Sequence, residues 1–401
     1  AVPPPTPVPP TPAGFTSPWD QYRREPEPSA PTPRSGAAGR RPAAPPADRN
    51  APSVSTASLR PPTAPAAPPS PPRTLTAPNR TPGRTLPGRL ADRPGGTFLD
   101  QRIDALSGED RTIVARDDYF YEPVIEAAEG ARIRFDGRWF INLASYSYLG
   151  LLGHDYIGAQ AQLAMQRFGT GAHGVRLLAG TLDLHRELES TIADFLGAED
   201  AIVYSSGYMA NQATLGALLG PGDVVVGDVY NHASILDGYR MSGADVVTYA
   251  HNDLGDLERA LRRTEGAGRL VVTDAVFSMD GDIADLPGIL DLCERHGVPV
   301  MVDEAHSIGV LGATGRGIVE HFGLDPARVD IKMGTLSKTI PSAGGYVAGS
   351  RDLVFALKNN ARGWMFSAAV TPAQVAAAKA AFEVIDAAPQ MIERLRRLAD
   401  V

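Results

Sequence analysis

The chain is 401 residues long, 43% hydrophobic and 21% charged, proportions of an ordinary globular protein with room for two or three domains. Its net charge of −8 joins two unlike parts: residues 1–97 hold 27 of the 35 prolines, 12 Arg, no Lys and 5 acidic residues, about +7, and the remaining 26 basic and 41 acidic residues give about −15. No apolar run reaches the length of a bilayer span, no signal-peptide apolar core is present, and a single cysteine, Cys293, excludes an intrachain disulfide framework, so a cytoplasmic setting is expected.

Residues 1–97 are mostly Pro, Ala, Arg, Ser and Thr. Such a stretch cannot bury enough surface to offset its ordering entropy and is expected to be a disordered linker with polyproline II character. Its arginines are dispersed without a patch, so no nucleic-acid partner is expected. The chain lacks an initiator Met and reads as a segment of a longer protein. Structure is expected to begin with a helix entry at Thr97–Ile103, followed by a hairpin over Ala131–Ile141 with Asp136-Gly137 at its turn. Periodicity then predicts helices at 155–168, 183–196, 208–219, 233–242, 253–263 and 285–296, interleaved with strands at 201–204, 223–226, 245–249, 269–273 and 298–302. Asp330–Met333 is strand-like and 373–386 a long helix. The alternation predicts an α/β fold, three layers α/β/α around a mostly parallel sheet.

Chemistry gathers at the predicted strand ends. Asp303 follows the apolar run Val298–Val302, where open α/β sheets bind ligands and where a buried carboxylate needs a partner. Lys338 follows the run Asp330–Met333 and, unlike Lys332, Lys358 and Lys379, is flanked by Thr335, Ser337 and Thr339 and then by Gly344-Gly345. An acidic residue and a lysine at neighbouring strand ends suit pyridoxal phosphate (PLP): the lysine forms a Schiff base and the carboxylate keeps the pyridine nitrogen protonated. Ser206-Gly207-Tyr208 opens a helix and reads either as a phosphate seat or as a plain strand-to-helix turn. His232 either stacks on a flat ring or belongs to a helix cap led by Asn231. Ser278 can donate to the ring oxygen, whereas Asp280-Gly281-Asp282 reads as a turn and lacks the other positions of a calcium loop; no metal is expected. His306 can bond the ring oxygen or orient Asp303. Asp-Glu-Ala-His also spells a nucleotide-hydrolase motif, but no Walker A sequence lies upstream.

In combination these segments resemble the α-oxoamine synthases, fold-type I PLP enzymes. The matching text is Tyr146–Leu151, Gly169–Gly171 through Arg176–Thr181, His185 with Leu188-Glu189, Ser206–Asn211, His232–Ser234, Phe277–Asp282, Asp303–His306, and Gly334–Lys338 with Gly344–Tyr346, within about residues 98–401. The resemblance implies that Lys338 binds the cofactor covalently and then moves protons, that Asp303 pairs with the pyridine nitrogen, that His232 stacks on the ring, and that His306 and Ser278 contact the ring oxygen. It implies a phosphate site from Ser206, the backbone of Gly207 and Tyr208, and Thr335, with Ser367 reaching the phosphate of a neighbouring subunit in a homodimer with shared sites. It implies an amino acid and an acyl thioester as substrates, condensed with loss of carbon dioxide to an α-aminoketone. The proline-rich segment, of the kind that joins modules of multidomain synthases, makes an acyl carrier protein a candidate partner. The domains expected are a linker (1–97), the N-terminal part of a small domain (98–145), a PLP-binding large domain (146–370) and the start of a C-terminal domain largely missing here (371–401). Pro341 departs from the glycine many relatives carry, and the arginine that usually holds the amino-acid carboxylate belongs to that missing part. Rival readings are another fold-type I reaction, transamination or aldol-type cleavage, and a non-catalytic partner subunit, against which Lys338 itself argues.

Overall fold

The computed structural model describes residues 97–103, 105–106, 123–266 and 268–400; of the expected linker over 1–97, residues 1–96 lie outside them. Thr97 and Asp100 cap the first helix reciprocally, the Thr97 N–H donating to Asp100 Oδ2 at 2.7 Å and the Asp100 N–H to Thr97 Oγ1 at 3.4 Å. The predicted hairpin is present as β2 (Arg132–Phe135) and β3 (Arg138–Ile141), with Asp136 and Gly137 both at positive φ (49° and 69°), as a two-residue turn of matching twist requires. A strand not read from the sequence, β1 (Ile125–Glu129), completes a three-stranded antiparallel sheet.

The main body is a seven-stranded sheet of β4 (Asp200–Tyr204), β5 (Asp223–Asp228), β6 (Asp245–Tyr249), β7 (Gly268–Asp274), β8 (Val300–Asp303), β9 (Ile331–Thr335) and β10 (Gly345–Gly349), in the order β4-β10-β9-β8-β7-β5-β6. Its longer helices are α1 (Asp155–Phe168), α2 (Asp183–Leu196), α3 (Gly207–Leu218), α4 (Ala233–Ser242), α5 (Leu254–Arg263), α6 (Leu286–His296), α7 (Arg351–Asn360), α8 (Pro372–Ala387) and α9 (Gln390–Ala399). Helices end where the sequence supplies caps: Ser206, Asp253, Asp285 and Ser350 accept first-turn N–H groups, and Gly197, Gly243 and Gly297 close helices in the left-handed conformation.

Alternate residues of each strand enter opposite layers. Ile202, Val225, Val272, Met301 and Met333 pack with α3, α4 and α7. On the other face Val203 and Tyr346 pack with α2 and α8, while Val226, Val271 and Val302 pack with α5 and α6. Both faces are therefore dry, which is why β5, β7 and β8 read as unbroken apolar runs rather than alternating ones.

β10 runs against its neighbours. The sequence reading contained neither it nor α7. It brings Gly345 level with Tyr204 on one side and Thr335 on the other. A Cβ at Gly345 would stand 2.5 Å from Gly207 Cα, so only glycine lets the three strand tips close together. Six parallel strands thus point their C-terminal ends, and β10 its N-terminal end, at one edge of the sheet.

Candidate active site

Three groups of residues converge at that edge. The first is built on a buried carboxylate. Asp303 is the last residue of β8, 3% exposed and directly beside Asp274, the last residue of β7. Its Oδ1 accepts from the Ala305 N–H at 2.9 Å and its Oδ2 from Asn211 Nδ2 at 2.8 Å. Asn211, fully buried in α3, also donates to Ser234 Oγ at 2.8 Å, and Ser234 Oγ lies 2.7 Å from His232 Nδ1. His232 is the N-cap of α4, and its backbone N–H donates to Asp274 Oδ2 at 2.8 Å. Burial, with the charge of Asp303 beside it, pushes Asp274 above the usual carboxylate range.

The second group carries the lysine. Lys338 sits on the return from β9 to β10, and its Nζ lies 2.7 Å from His306 Nε2. His306 Nδ1 lies 2.7 Å from Tyr148 Oη. Burial lowers the Lys338 ammonium, while Asp303 and Asp274 work the other way. Burial also holds His306 down to about 4, with the Lys338 charge adding to the shift, so the imidazole is neutral at pH 7.

The third group is a cradle. Gly207 opens α3, whose first N–H groups have no partner within the helix. Ser206 caps the helix by accepting from the Met209 N–H at 3.0 Å. A Cβ at Gly207 would stand 2.9 Å from Thr335 Oγ1, and that hydroxyl is itself 2.9 Å from Ser337 Oγ. Backbone donors, a helix N-terminus and two hydroxyls around a residue without a side chain make an anion seat.

The remaining expected residues stand further out. Tyr208 is exposed, its ring centroid 6.3 Å from that of His232 in an edge-on contact, and its hydroxyl bonds Asp237. Ser278 is exposed on the loop after β7, which closes on itself through Phe277 N–H to Asp282 O at 3.0 Å. Ser367 is half-buried and shares a small cleft with Tyr204, Ser205 and Arg176, just behind the cradle. Asn211, Ser234, Asp274 and Tyr148 were not singled out from the sequence. Asp274 had a signal, since it ends an apolar strand as Asp303 does; the others had none beyond motif membership.

These groups fit PLP. Asp303 keeps unused lone pairs for a cationic ring nitrogen, the cradle offers donors to a phosphate, and a primary amine with lowered proton affinity stands near both.

Comparison with known proteins agrees. The family profile of the class I and II aminotransferases matches residues 139–401. The 8-amino-7-oxononanoate synthase of Geobacter sulfurreducens is 46% identical over 276 residues, 69% of this chain and 70% of that protein. The chain belongs to the α-oxoamine synthases. The same enzyme of Thermosipho melanesiensis is 44% identical over 69% of this chain and 71% of its own length. Among solved structures, a lysine-to-alanine variant of serine palmitoyltransferase from S. paucimobilis with a bound PLP–myriocin aldimine superposes with a TM-score of 0.72 at 34% identity, covering 75% of this chain and 78% of that one. As an α-oxoamine synthase the chain is a PLP-dependent acyltransferase. Among the described residues no helix is long and apolar enough to cross a membrane.

Proposed function

We propose that this α-oxoamine synthase condenses an amino acid with an acyl thioester, releasing carbon dioxide and a thiol and leaving an α-aminoketone. The observation that carries the reading is Asp303, 3% exposed at the tip of β8, held by two donors and close enough to Lys338 to act on its charge. PLP, when bound, supplies an electron sink that stabilises a carbanion at the amino-acid α-carbon.

The chain's own residues do the rest. Asp303, its carboxylate held by Asn211, would keep the ring nitrogen protonated. His232, held by Ser234, would stack on the ring. His306 would contact the ring oxygen, as would Ser278 from the exposed loop after β7. Ser206, Gly207, Tyr208 and Thr335 bind the phosphate and set the cofactor's position. Lys338, its proton affinity lowered by burial, anchors the cofactor and then takes and returns the α-proton. Ser367 reaches the phosphate of a second copy. The exposed apolar side chains of Leu178 (79%) and Phe366 (63%) support a homodimer in which each site borrows from its neighbour. The buried thiol of Cys293, 1% exposed, is at home in a reducing cytoplasm. An acyl carrier protein is the proposed acyl donor in preference to a free coenzyme A thioester, on the strength of the proline-rich segment.

The test begins with absorbance. Purified protein titrated with PLP gives a visible band of lysine-bound cofactor that Lys338→Ala lacks, and glycine, alanine or serine shift that band. Free thiol and carbon dioxide then appear together only when amino acid and acyl thioester are both supplied. Removing residues 1–97 selectively slows turnover of carrier-bound acyl groups. Transfer of the amino group to a keto acid, with no thiol released, would sink the condensation reading, and full carrier-dependent activity without residues 1–97 would sink the carrier assignment.

A further inference from the structure

Ser278 stands on a hairpin that is fastened by residues with no part in the reaction as proposed above. The hairpin is closed at its base by the Phe277 N–H, which donates to Asp282 O at 3.0 Å, and by the Gly281 N–H, which donates to Phe277 O at 2.7 Å. Two neighbouring residues beyond β6 grip it. Asn252 Nδ2 donates to Ile283 O at 3.0 Å, and Asn252 Oδ1 accepts the Asp285 N–H at 3.0 Å. His251 takes the base itself: its Nε2 lies 2.6 Å from Asp282 Oδ2, and the Phe277 ring meets the imidazole edge-on with centroids 4.5 Å apart. On its other side, His251 Nδ1 lies 3.0 Å from Oδ1 of Asp228, the last residue of β5. Tyr230 covers one face of the imidazole in a stack at 4.5 Å.

The hydrogen count of this arrangement is the same for either tautomer. Asp228, 1% exposed, already accepts the Tyr230 N–H at Oδ1 (2.8 Å) and the Asn252 N–H at Oδ2 (2.9 Å), the bonding of a carboxylate. Asp282 keeps 39% of its side chain in solvent. A neutral imidazole has one N–H and can bond only one of two carboxylates; the other contact would set a ring lone pair against a carboxylate oxygen. Both contacts close together only when the three groups hold one further proton. An imidazole is ordinarily more basic than a carboxylate by more than about two pH units, so the ring is that proton's seat. The charged groups facing His251 are Asp228 from β5 and Asp282 from the hairpin. Burial acts to lower the proton affinity of the ring, and the bonds to the two carboxylates outweigh it.

We propose that His251 is a positioning residue: as an imidazolium clasped between Asp228 and Asp282, it fixes the hairpin of Ser278 against the ends of β5 and β6. Loss of one proton releases the clasp. The Asn252 bonds then still hold Ile283 and Asp285, but the base formed by Phe277 and Asp282 is free to shift, and Ser278 shifts with it. The consequence for the reaction rests on the role proposed above for Ser278, contact with the ring oxygen of PLP. The clasp itself is a property of the chain without cofactor.

The test reads the proton, then the hairpin, then the cofactor. In the full chain without cofactor, labelled with nitrogen-15 in its 8 histidines, the ring signals of His251 are those lost in His251→Gln. Both ring nitrogens should be protonated up to a midpoint above the ordinary value of about 6.5, and Asp282→Asn, at a half-exposed position, should lower that midpoint by about one unit, a tenfold weaker hold on the proton. A midpoint at or below about 6.5, or one that Asp282→Asn leaves in place, overturns the proposal. Hydrogen exchange of the Phe277 and Gly281 amides, corrected for its intrinsic pH dependence, should quicken about tenfold as pH passes the midpoint and should be fast at every pH in His251→Gln. Exchange without that step in the wild-type protein also counts against the clasp. In protein loaded with PLP, Ser278→Ala should weaken PLP binding below the midpoint, and by less when His251→Gln is already present. If Ser278→Ala had no effect in either background, the ring-oxygen role of Ser278 would fail, yet the nitrogen-15 spectrum and the exchange of the unloaded protein would still decide the role of His251.

Discussion

Arg176 and Glu189 form an ion pair in a place where neither is easily spared. They are 4% and 1% exposed, with Arg176 Nη2 donating to Glu189 Oε1 at 2.8 Å. The same oxygen accepts the Val203 N–H at 3.2 Å, and Oε2 accepts Arg186 Nη1 at 2.9 Å from a half-exposed side chain. Replacing Arg176 with Met keeps the volume but leaves Glu189 short of its buried cation. Breaking a buried pair from one side costs about 3–5 kcal/mol. Arg186 and the Val203 N–H remain, which puts Arg176→Met near the low end, about 3 kcal/mol. The described body of roughly 300 residues has an unfolding entropy of about 0.6 kcal/mol/K, so the midpoint should fall by about 5 °C. Glu189→Leu is worse, because it strands both the guanidinium and the Val203 N–H. The double variant removes both charges and strands only that N–H, at about 1–3 kcal/mol. Thermal unfolding of the four proteins closes the cycle. The reasoning requires the double variant to be at least as stable as Glu189→Leu alone. If its loss equals the sum of the two single losses, the pair does not interact and the argument fails.

Gly345→Ala forces a Cβ to within 2.5 Å of the Gly207 backbone and should cost about 3 kcal/mol in denaturant unfolding. Gly207→Ala instead meets the Thr335 hydroxyl at 2.9 Å, so the fold should tolerate it while PLP affinity falls at least about tenfold by equilibrium titration; unaltered affinity would remove Gly207 from the phosphate seat. Burial pushes Glu304 up to about 7 in the folded protein, against the Ser307 hydroxyl and the Ile318 N–H, which donate to its carboxylate and act to lower it. The unfolded chain releases this proton near 4.5 and the native state holds it until about 7, so stability from this group is full below 4.5 and declines as pH rises to 7, by about 3 kcal/mol. Glu304→Gln should flatten that decline in unfolding midpoints measured from pH 4.5 to 8; an unchanged slope would refute the assignment.

Much of the fold was legible because periodicity and caps coincide. The helices at 155–168, 183–196 and 233–242 have the bounds expected from their apolar spacing, with Gly169, Gly197 and Gly243 as stops. Val224–Val226 and Val300–Val302 announce buried parallel strands. β10 was hidden because Gly-Tyr-Val-Ala-Gly shows little apolar patterning; its place is decided by two neighbours already present and by the tight approach at Gly345. At the site, Asp303 and Lys338 were readable from strand ends alone. The significance of Asp274 appears only when β7 and β8 pair in the register that sets it beside Asp303. Tyr148 meets His306 across 158 residues of chain, a contact that no local pattern encodes.

The lysine's place between β9 and β10 has a kinetic consequence. Its loop is closed at both ends by the paired residues Thr335 and Gly345, and inside by Leu336 N–H to Gly344 O and Ser342 N–H to Leu336 O, both at 3.0 Å. Leu336, Thr339 and Ile340 anchor it at 0%, 3% and 1% exposure. The loop that carries Lys338 is thus tied to the sheet at both ends, and the amide hydrogens of Leu336 and Ser342 exchange with solvent only when those bonds open, which couples them to the parting of β9 and β10. The amine is thus presented from a platform as fixed as the sheet itself, while His232 and Tyr208 at the same sheet edge are exposed to solvent.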